Sequence, residues 1–299
     1  MAVIKKKNRA ERMVGDLPRR HSQWADTWSR LRRNKLAMIG LVIVALLLIV
    51  TIFADYIAPY DYAAANLKDK FADLSWKHPF GTDNMGRDIL SRVIYGGRIS
   101  LLVAVVALAL STAVGVIIGA MAGYFGGWCD TIIMQIMDIL MGIPQFLMAV
   151  SVSTALGTGL MNTAIAVAIS GVPRVVRIMR ASVMTIRDME YVEAAKACGF
   201  SNLKIIFKES LPNTLAPLIV HCSLGIGSNI LAISSLSFIG LGVQPPTPEW
   251  GSLLNAGRQY IRDYAPIVIF PGLAIMVTLF GFNLLGDGLR DALDPRLKD

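Results

Sequence analysis

Residues 193–199 read Glu193-Ala194-Ala195-Lys196-Ala197-Cys198-Gly199, and Leu211-Pro212-Asn213 follows twelve residues beyond Gly199. The stretch is alanine-rich, charged and helix-prone, and it lies between two apolar segments that are each long enough to cross a membrane. Neighbouring helices need only a short connection. A polar, helix-forming insert over 183–212 therefore reads as a docking surface for a soluble partner.

Composition places the insert in a membrane protein. The 299 residues are 54% hydrophobic and 17% charged, with a mean hydropathy of +0.55, whereas soluble domains carry about 25% charged residues. A hydrocarbon core of about 30 Å needs about 20 apolar residues per helix. About six runs qualify: 36–53, 99–123, 131–155, 160–177, 215–241 and 265–285. None shows the alternation of a barrel strand, and exposed backbone cannot sit in lipid, so the expected fold is an all-α membrane bundle. The first run follows a long basic arm and has no small-residue cleavage site, so it reads as an anchor that is kept.

Basic residues set the orientation. With the amino terminus inside, twenty-one Lys/Arg fall on inner segments and eight on outer ones. The positive-inside rule then puts both termini and the 183–212 insert in the cytoplasm, and the net charge of +8 reports topology rather than nucleic-acid binding. Arg87, Arg92 and Arg98 run against this trend at the outer entrance of the second run. The resulting division is a cytoplasmic arm over 1–35, a first span over 36–53, an extracytoplasmic segment over 54–98, a core over 99–285 and a cytoplasmic tail over 286–299.

Several local features fill in this plan. Trp24, Trp28 and Leu31 recur at helical spacing beside Arg30, Arg32, Arg33 and Lys35, as in an amphipathic helix at the membrane interface. Gly81-Thr82-Asp83-Asn84-Met85-Gly86-Arg87-Asp88 is turn chemistry in which Asp83 is expected to cap a helix and Asp88 to pair with Arg92. Its glycines lack the spacing of a phosphate loop. Gly115, Gly119 and Gly123 have the four-residue spacing that lets membrane helices touch. Gly126-Gly127 makes a tight turn into a third span that Gly142 and Pro144 interrupt, and Trp250 is expected at a membrane interface beyond a proline-rich loop.

The chemistry that is missing also narrows function. There is no G-x-x-x-x-G-K-[ST] loop, and His21, His78 and His221 lie far apart with no H-E-x-x-H, which leaves neither a P-loop nucleotide site nor a zinc hydrolase. Cys129, Cys198 and Cys222 fall in no outer loop, so no external disulfide is expected. An ionisable group inside a span points to a pathway or an interhelical pair. Asp138 on the third span, His221 on the fifth and the kink at Pro144 are accordingly the candidates for the translocation path, with an interhelical hydrogen bond or ion pair as the alternative for Asp138 and a position near a cytoplasmic end weighing against His221. In the insert, Tyr191, Ala194, Ala195 and Cys198 are expected on one thin face, Gly199 ends the helix, Ser201 caps the next one and Pro212 aims the chain back into the membrane.

These residues resemble the permease subunits of type I ABC importers, whose signature is E-A-A-x3-G-x9-I-x-L-P. Glu193, Ala194, Ala195, Gly199, Leu211 and Pro212 match it, while Glu209 stands at the isoleucine position. The 81–101 stretch, Pro245-Pro246-Thr247-Pro248-Glu249-Trp250-Gly251 and the 286–295 stretch are similar to the dipeptide/oligopeptide branch, and to its C-type subunit above all. That branch also carries nickel chelates and glutathione.

The resemblance implies the type I importer fold in a prokaryotic plasma membrane, and a transport subunit that is not itself an enzyme. Its partners would be a second homologous permease, one or two kinds of ABC ATPase, an extracytoplasmic peptide-binding protein and membrane lipid. The chain itself would hold no cofactor, ATP and Mg sitting on the ATPases. Tyr191, Glu193, Ala194, Ala195, Gly199, Leu211 and Pro212 would form the coupling helix that transmits ATP-driven closure. Two other classes compete: an ion-coupled secondary transporter, for which no internal repeat is found, and a membrane scaffold, which would leave the kinked span and the outer loops without a role.

Overall fold

The structure, a computed structural model, describes residues 23–293 and their side chains from residue 27 onward. Residues 1–22 and 294–299, with His21, most of the basic arm and the side chain of Trp24, lie outside the described residues.

The chain opens with α1 (Gln23–Arg33) and α2 (Lys35–Ile52), separated by Asn34, whose side chain accepts from the amides of Leu36 and Ala37. Leu31 on α1 is buried against Ala37, Leu289 and Ala292, while Trp28 points out at 51% exposure. A single turn, α3 (Ala54–Ile57), leads into an outer cap. Then come α4 (Ile89–Phe125), α5 (Gly127–Met141), α6 (Gln145–Leu156) and α7 (Leu160–Ile186). The insert holds α8 (Glu190–Ala197) and α9 (Asn202–Lys204), and α10 (Leu215–Phe238), α11 (Trp250–Gly257) and α12 (Pro266–Leu293) complete the chain. Among the described residues the only strand-like pairing is the bridge Thr82 to Asp88.

Four helical runs are long and apolar enough to cross a membrane, α2, α4, the run 202–238 and α12, and α5 with α6 makes a fifth if that pair, bent by 89°, is one span. The sixth expected span, α7, has the length at 27 residues but carries Arg174, Arg177 and Arg180 in its second half. Pro144 accounts for the bend, because it removes an amide from the ladder and starts α6 afresh.

The bundle centres on α4 against α7. A Cβ added at Gly115 would lie 2.5 Å from the Val175 Cβ, one at Gly119 2.5 Å from the Val176 carbonyl and one at Gly123 2.7 Å from the Arg180 carbonyl. The three glycines thus bring two backbones together over two turns, which is the packing role expected of them. Gly126 and Gly127 both have positive φ, as the turn into α5 requires.

The 54–98 segment and the start of α11 correct four expectations. At 37 residues α4 is about 55 Å long and begins at Ile89, so its first ten residues belong to the segment assigned to an outer loop. The cap is Asp88 rather than Asp83: its carboxylate accepts from the Ser91 amide and hydroxyl at 2.8 Å and faces His78 Nδ1 at 2.9 Å. With that carboxylate engaged, Asp88 does not pair with Arg92. Arg92 turns to Asp83 at 3.7 Å, where Arg87 also binds at 2.7 Å, and Arg98 meets Asp55 at 3.1 Å. The outer arginines are therefore each set against a carboxylate. Lys77, bonded to Asp69 at 2.9 Å, holds that carboxyl below its ordinary range.

Trp250 is the fourth correction. It is 2% exposed and its Nε1 donates to the Val93 carbonyl at 2.9 Å, so it is a core residue and not an interface anchor. The cause is Glu249, which caps α11 with a capping box and rolls Trp250 into the bundle over Gly96 and Gly97.

Candidate functional site

The insert folds into a knob at one end of the bundle. In α8 the acids Glu190 and Glu193 occupy the first turn and Lys196 the last, which suits the helix dipole. Gly199 ends it at φ 76°, donating to the Lys196 carbonyl, while the Phe200 amide reaches the Ala195 carbonyl. These two bonds make a Schellman motif, and Phe200 packs on the same buried cluster as Ala195. Ser201 then accepts from the Lys204 amide and caps α9. The helix-turn-helix expected of this stretch is present.

The knob is clamped to the C-terminal end of α4. The Tyr124 hydroxyl donates to Asn202 Oδ1 at 3.1 Å, and Lys196 lies 5.6 Å from the Tyr124 ring centroid. After α9 a π-helical turn, Ile205–Ser210, adds the residue that lets Ile205 and Ile206 both point inward. Ile205 packs on Val192 and Ala195, and Ile206 packs between α4 and α7 on Val175, Met179 and Val183. A short 3-10 stretch, Leu211–Thr214, continues into α10, so knob and span form one helical run over 202–238. Glu209, half-buried in the π turn, accepts through its backbone carbonyl from Asn213.

Of the residues expected to couple, Tyr191, Glu193, Ala194, Gly199 and Pro212 are exposed. Ala195 and Leu211 are not. Ala195 shares the inward face with Val192, three residues before it, and Leu211 packs on the cluster between α4 and α7. Two residues that the sequence reasoning missed extend the outer face, Leu203 at 63% exposure and Phe207 at 53%. Their spacing of four in an otherwise polar insert was the available signal.

Where α4, α6, α7 and α10 meet lies an open cleft of about 130 Å³. Ser111, Gln145, Arg174, His221, Ser228 and Asn229 supply its polar lining. Pro144 is not itself in the lining; the break it makes places Gln145 at the start of α6, which has no side-chain cap. Asp138 is not in the lining. It binds Arg177 at 2.6 Å with both side chains about half exposed, and Arg180 is held by Asp130, with Nη2 to Oδ2 at 2.6 Å. Among the described residues, no group of three or more His, Cys, Asp or Glu could hold a metal, and the three cysteines are free.

Known proteins share this arrangement. Residues 115–299 match the model of the binding-protein-dependent transport system inner membrane component, and residues 22–75 match the N-terminal TM domain of oligopeptide transport permease C. The chain is 44% identical to the dipeptide transport system permease protein DppC of Alkalihalophilus pseudofirmus, over 93% of this chain and 91% of that one. It is also 44% identical to the glutathione transport system permease protein GsiD of Escherichia coli, over 92% and 91%. A structure of inward-facing conformations of the MetNI methionine ABC transporter superposes with a TM-score of 0.55 at 15% identity, covering 69% of this chain and 98% of that chain. The last likeness establishes the fold, and the type I importer fold expected from the signature is the one found. By the match over 115–299, the chain belongs to the family of binding-protein-dependent transport system inner membrane components, the permease subunits of ABC importers.

Proposed function

We propose that this permease subunit takes up dipeptides or short oligopeptides, and that the 190–212 knob seats in a groove of a cytoplasmic ABC ATPase. The knob carries the reading. A helix with Tyr191, Glu193, Ala194 and Gly199 exposed stands on a helical run that continues through the membrane as α10, so a push on the knob moves the span. ATP and Mg sit on the ATPases, a second homologous permease completes the pathway, and an extracytoplasmic binding protein delivers the peptide. Closure of the ATPase pair rocks the two bundles and alternates which side the central cleft faces. Both termini and the knob lie in the cytoplasm of a prokaryote, on the inner side where most Lys/Arg fall. The similarity to a dipeptide permease supports the substrate class, and the similarity to a glutathione permease favours that tripeptide as the second reading.

Mild-detergent purification of the chain with mass spectrometry of what accompanies it, followed by reconstitution, tests the reading. Recovery of a second permease and a P-loop ATPase, with ATP-dependent uptake of a labelled dipeptide in proteoliposomes, is the expected result. ATP-dependent uptake of glutathione but not of dipeptides would move the second reading to first place. Recovery of this chain alone with proton-driven uptake would overturn both.

A further inference from the structure

Three arginines follow one another along α7, and two of them are paired, Arg177 with Asp138 and Arg180 with Asp130. Arg174 forms no ion pair among the described residues, although it is the one nearest the middle of the helix. Fourteen residues separate it from Leu160 and twelve from Ile186, about 21 Å and 18 Å of helix. Arg174 is exposed in the single chain, and a guanidinium without an ion pair midway along a bundle helix by default marks the path of a substrate.

Arg174 lines the cleft between α4, α6, α7 and α10, where its polar neighbours are Ser111, Gln145, His221, Ser228 and Asn229. No carboxylate is among the lining residues, so no acid from the described chain answers the charge there. Gln145 brings the uncapped start of α6, the positive end of that helix, to the same cleft. Every fixed charge or dipole at the cleft thus favours an anion, and the planar guanidinium fork suits a carboxylate in particular. We infer that Arg174 is a substrate-binding residue of the translocation cleft, taking an acidic side-chain carboxylate of the transported peptide as a charge-assisted pair during passage. The paired Arg177 and Arg180 hold α5 to α7, and Arg174 is the arginine kept for cargo. This inference rests on the peptide-import reading above.

The test compares uptake of an acidic and a basic tripeptide by the reconstituted importer with wild-type chain, Arg174→Glu, Arg174→Gln and Arg174→Lys. Reversing the charge lowers the acidic-to-basic uptake ratio by at least about tenfold, Arg174→Gln lowers it by less, and Arg174→Lys, which keeps the charge but not the fork, lowers it least. Should Arg174→Glu fail to assemble, Arg174→Gln gives the same reading with closer size and polarity. Wild-type uptake with an unchanged ratio in the variants, or an equal fall for both peptides, means that Arg174 serves assembly or meets an acid of another subunit, and overturns this inference alone. No uptake of either peptide by the wild-type importer overturns the peptide reading and this inference with it.

Discussion

The shoulder around Glu249 and Trp250 and the knob around Glu193 both begin with a capped or charged helix start, yet they treat their polar groups in opposite ways. At the shoulder, Glu249 is fully buried and accepts from Ser100, Ser234 and Ser252, and Trp250 donates its indole N–H to Val93 and its amide to Ser100. At the knob, Glu190, Glu193, Lys196, Lys204 and Lys208 are exposed and form no ion pair among the described residues, and the buried side chains there are Val192, Ala195, Ile205, Ile206 and Ser210. A region that satisfies every polar group internally is framework, because nothing is left to offer a partner. The knob is well formed in its backbone and open in its side chains, which is what the proposed docking role requires.

The contrast can be broken by substitution, and effects on folded stability should fall from shoulder to knob. Trp250→Ala removes the largest fully buried side chain and its hydrogen bond, and should cost about 3–5 kcal/mol in detergent unfolding. A loss below about 1 kcal/mol would mean that the shoulder is not framework. Gly119→Val forces a Cβ to 2.5 Å from the Val176 carbonyl and should cost about 1–3 kcal/mol, with α4 and α7 spreading apart. Unaltered melting of that variant would show that the close approach is dispensable.

Gly199→Asp sharpens the comparison on the knob. The φ of 76° costs an L-residue about 1–2 kcal/mol, but nothing lies within 4 Å of the added Cβ, so the protein should still insert and fold. Transport is nevertheless expected to stop, because the aspartate stands at the docking turn. Normal uptake in vesicles would sink the coupling assignment. Asp138→Asn is the smallest change: its half-exposed pair with Arg177 should be worth up to about 1 kcal/mol, lowering the melting temperature slightly with no change in substrate profile. A changed preference among charged peptides at unchanged stability would put Asp138 on the path.

Local signals were legible wherever one stretch carries its own cause. The tight turn at Gly126-Gly127, the glycine that ends α8, the cap at Ser201 and the glycine seam on α4 all follow from backbone freedom, capping or small-residue spacing within a few positions. The knob's outer face was legible only in part. Tyr191, Ala194 and Cys198 do point outward, but Ala195 turns in, because a π turn ten residues later presents Ile205 to it. The cap at Asp88 was missed in favour of Asp83 because both are acids in a turn. The choice falls to His78, whose ring reaches Asp88 and not Asp83.

Hydropathy, charge bias and the signature between Glu193 and Pro212 were enough, without coordinates, to specify a membrane bundle, an importer permease and the place of its knob. Each is a property of composition or of short-range periodicity, so it survives without knowledge of neighbours. Which acid answers which arginine, why Trp250 is buried and why Arg174 faces a cleft without an acid were decided by tertiary structure alone. Ser100 and Glu249 are 149 residues apart in the chain and 3.1 Å apart in space. A buried polar group takes whichever partner the packing brings to it, and that pairing is set by how the helices cross.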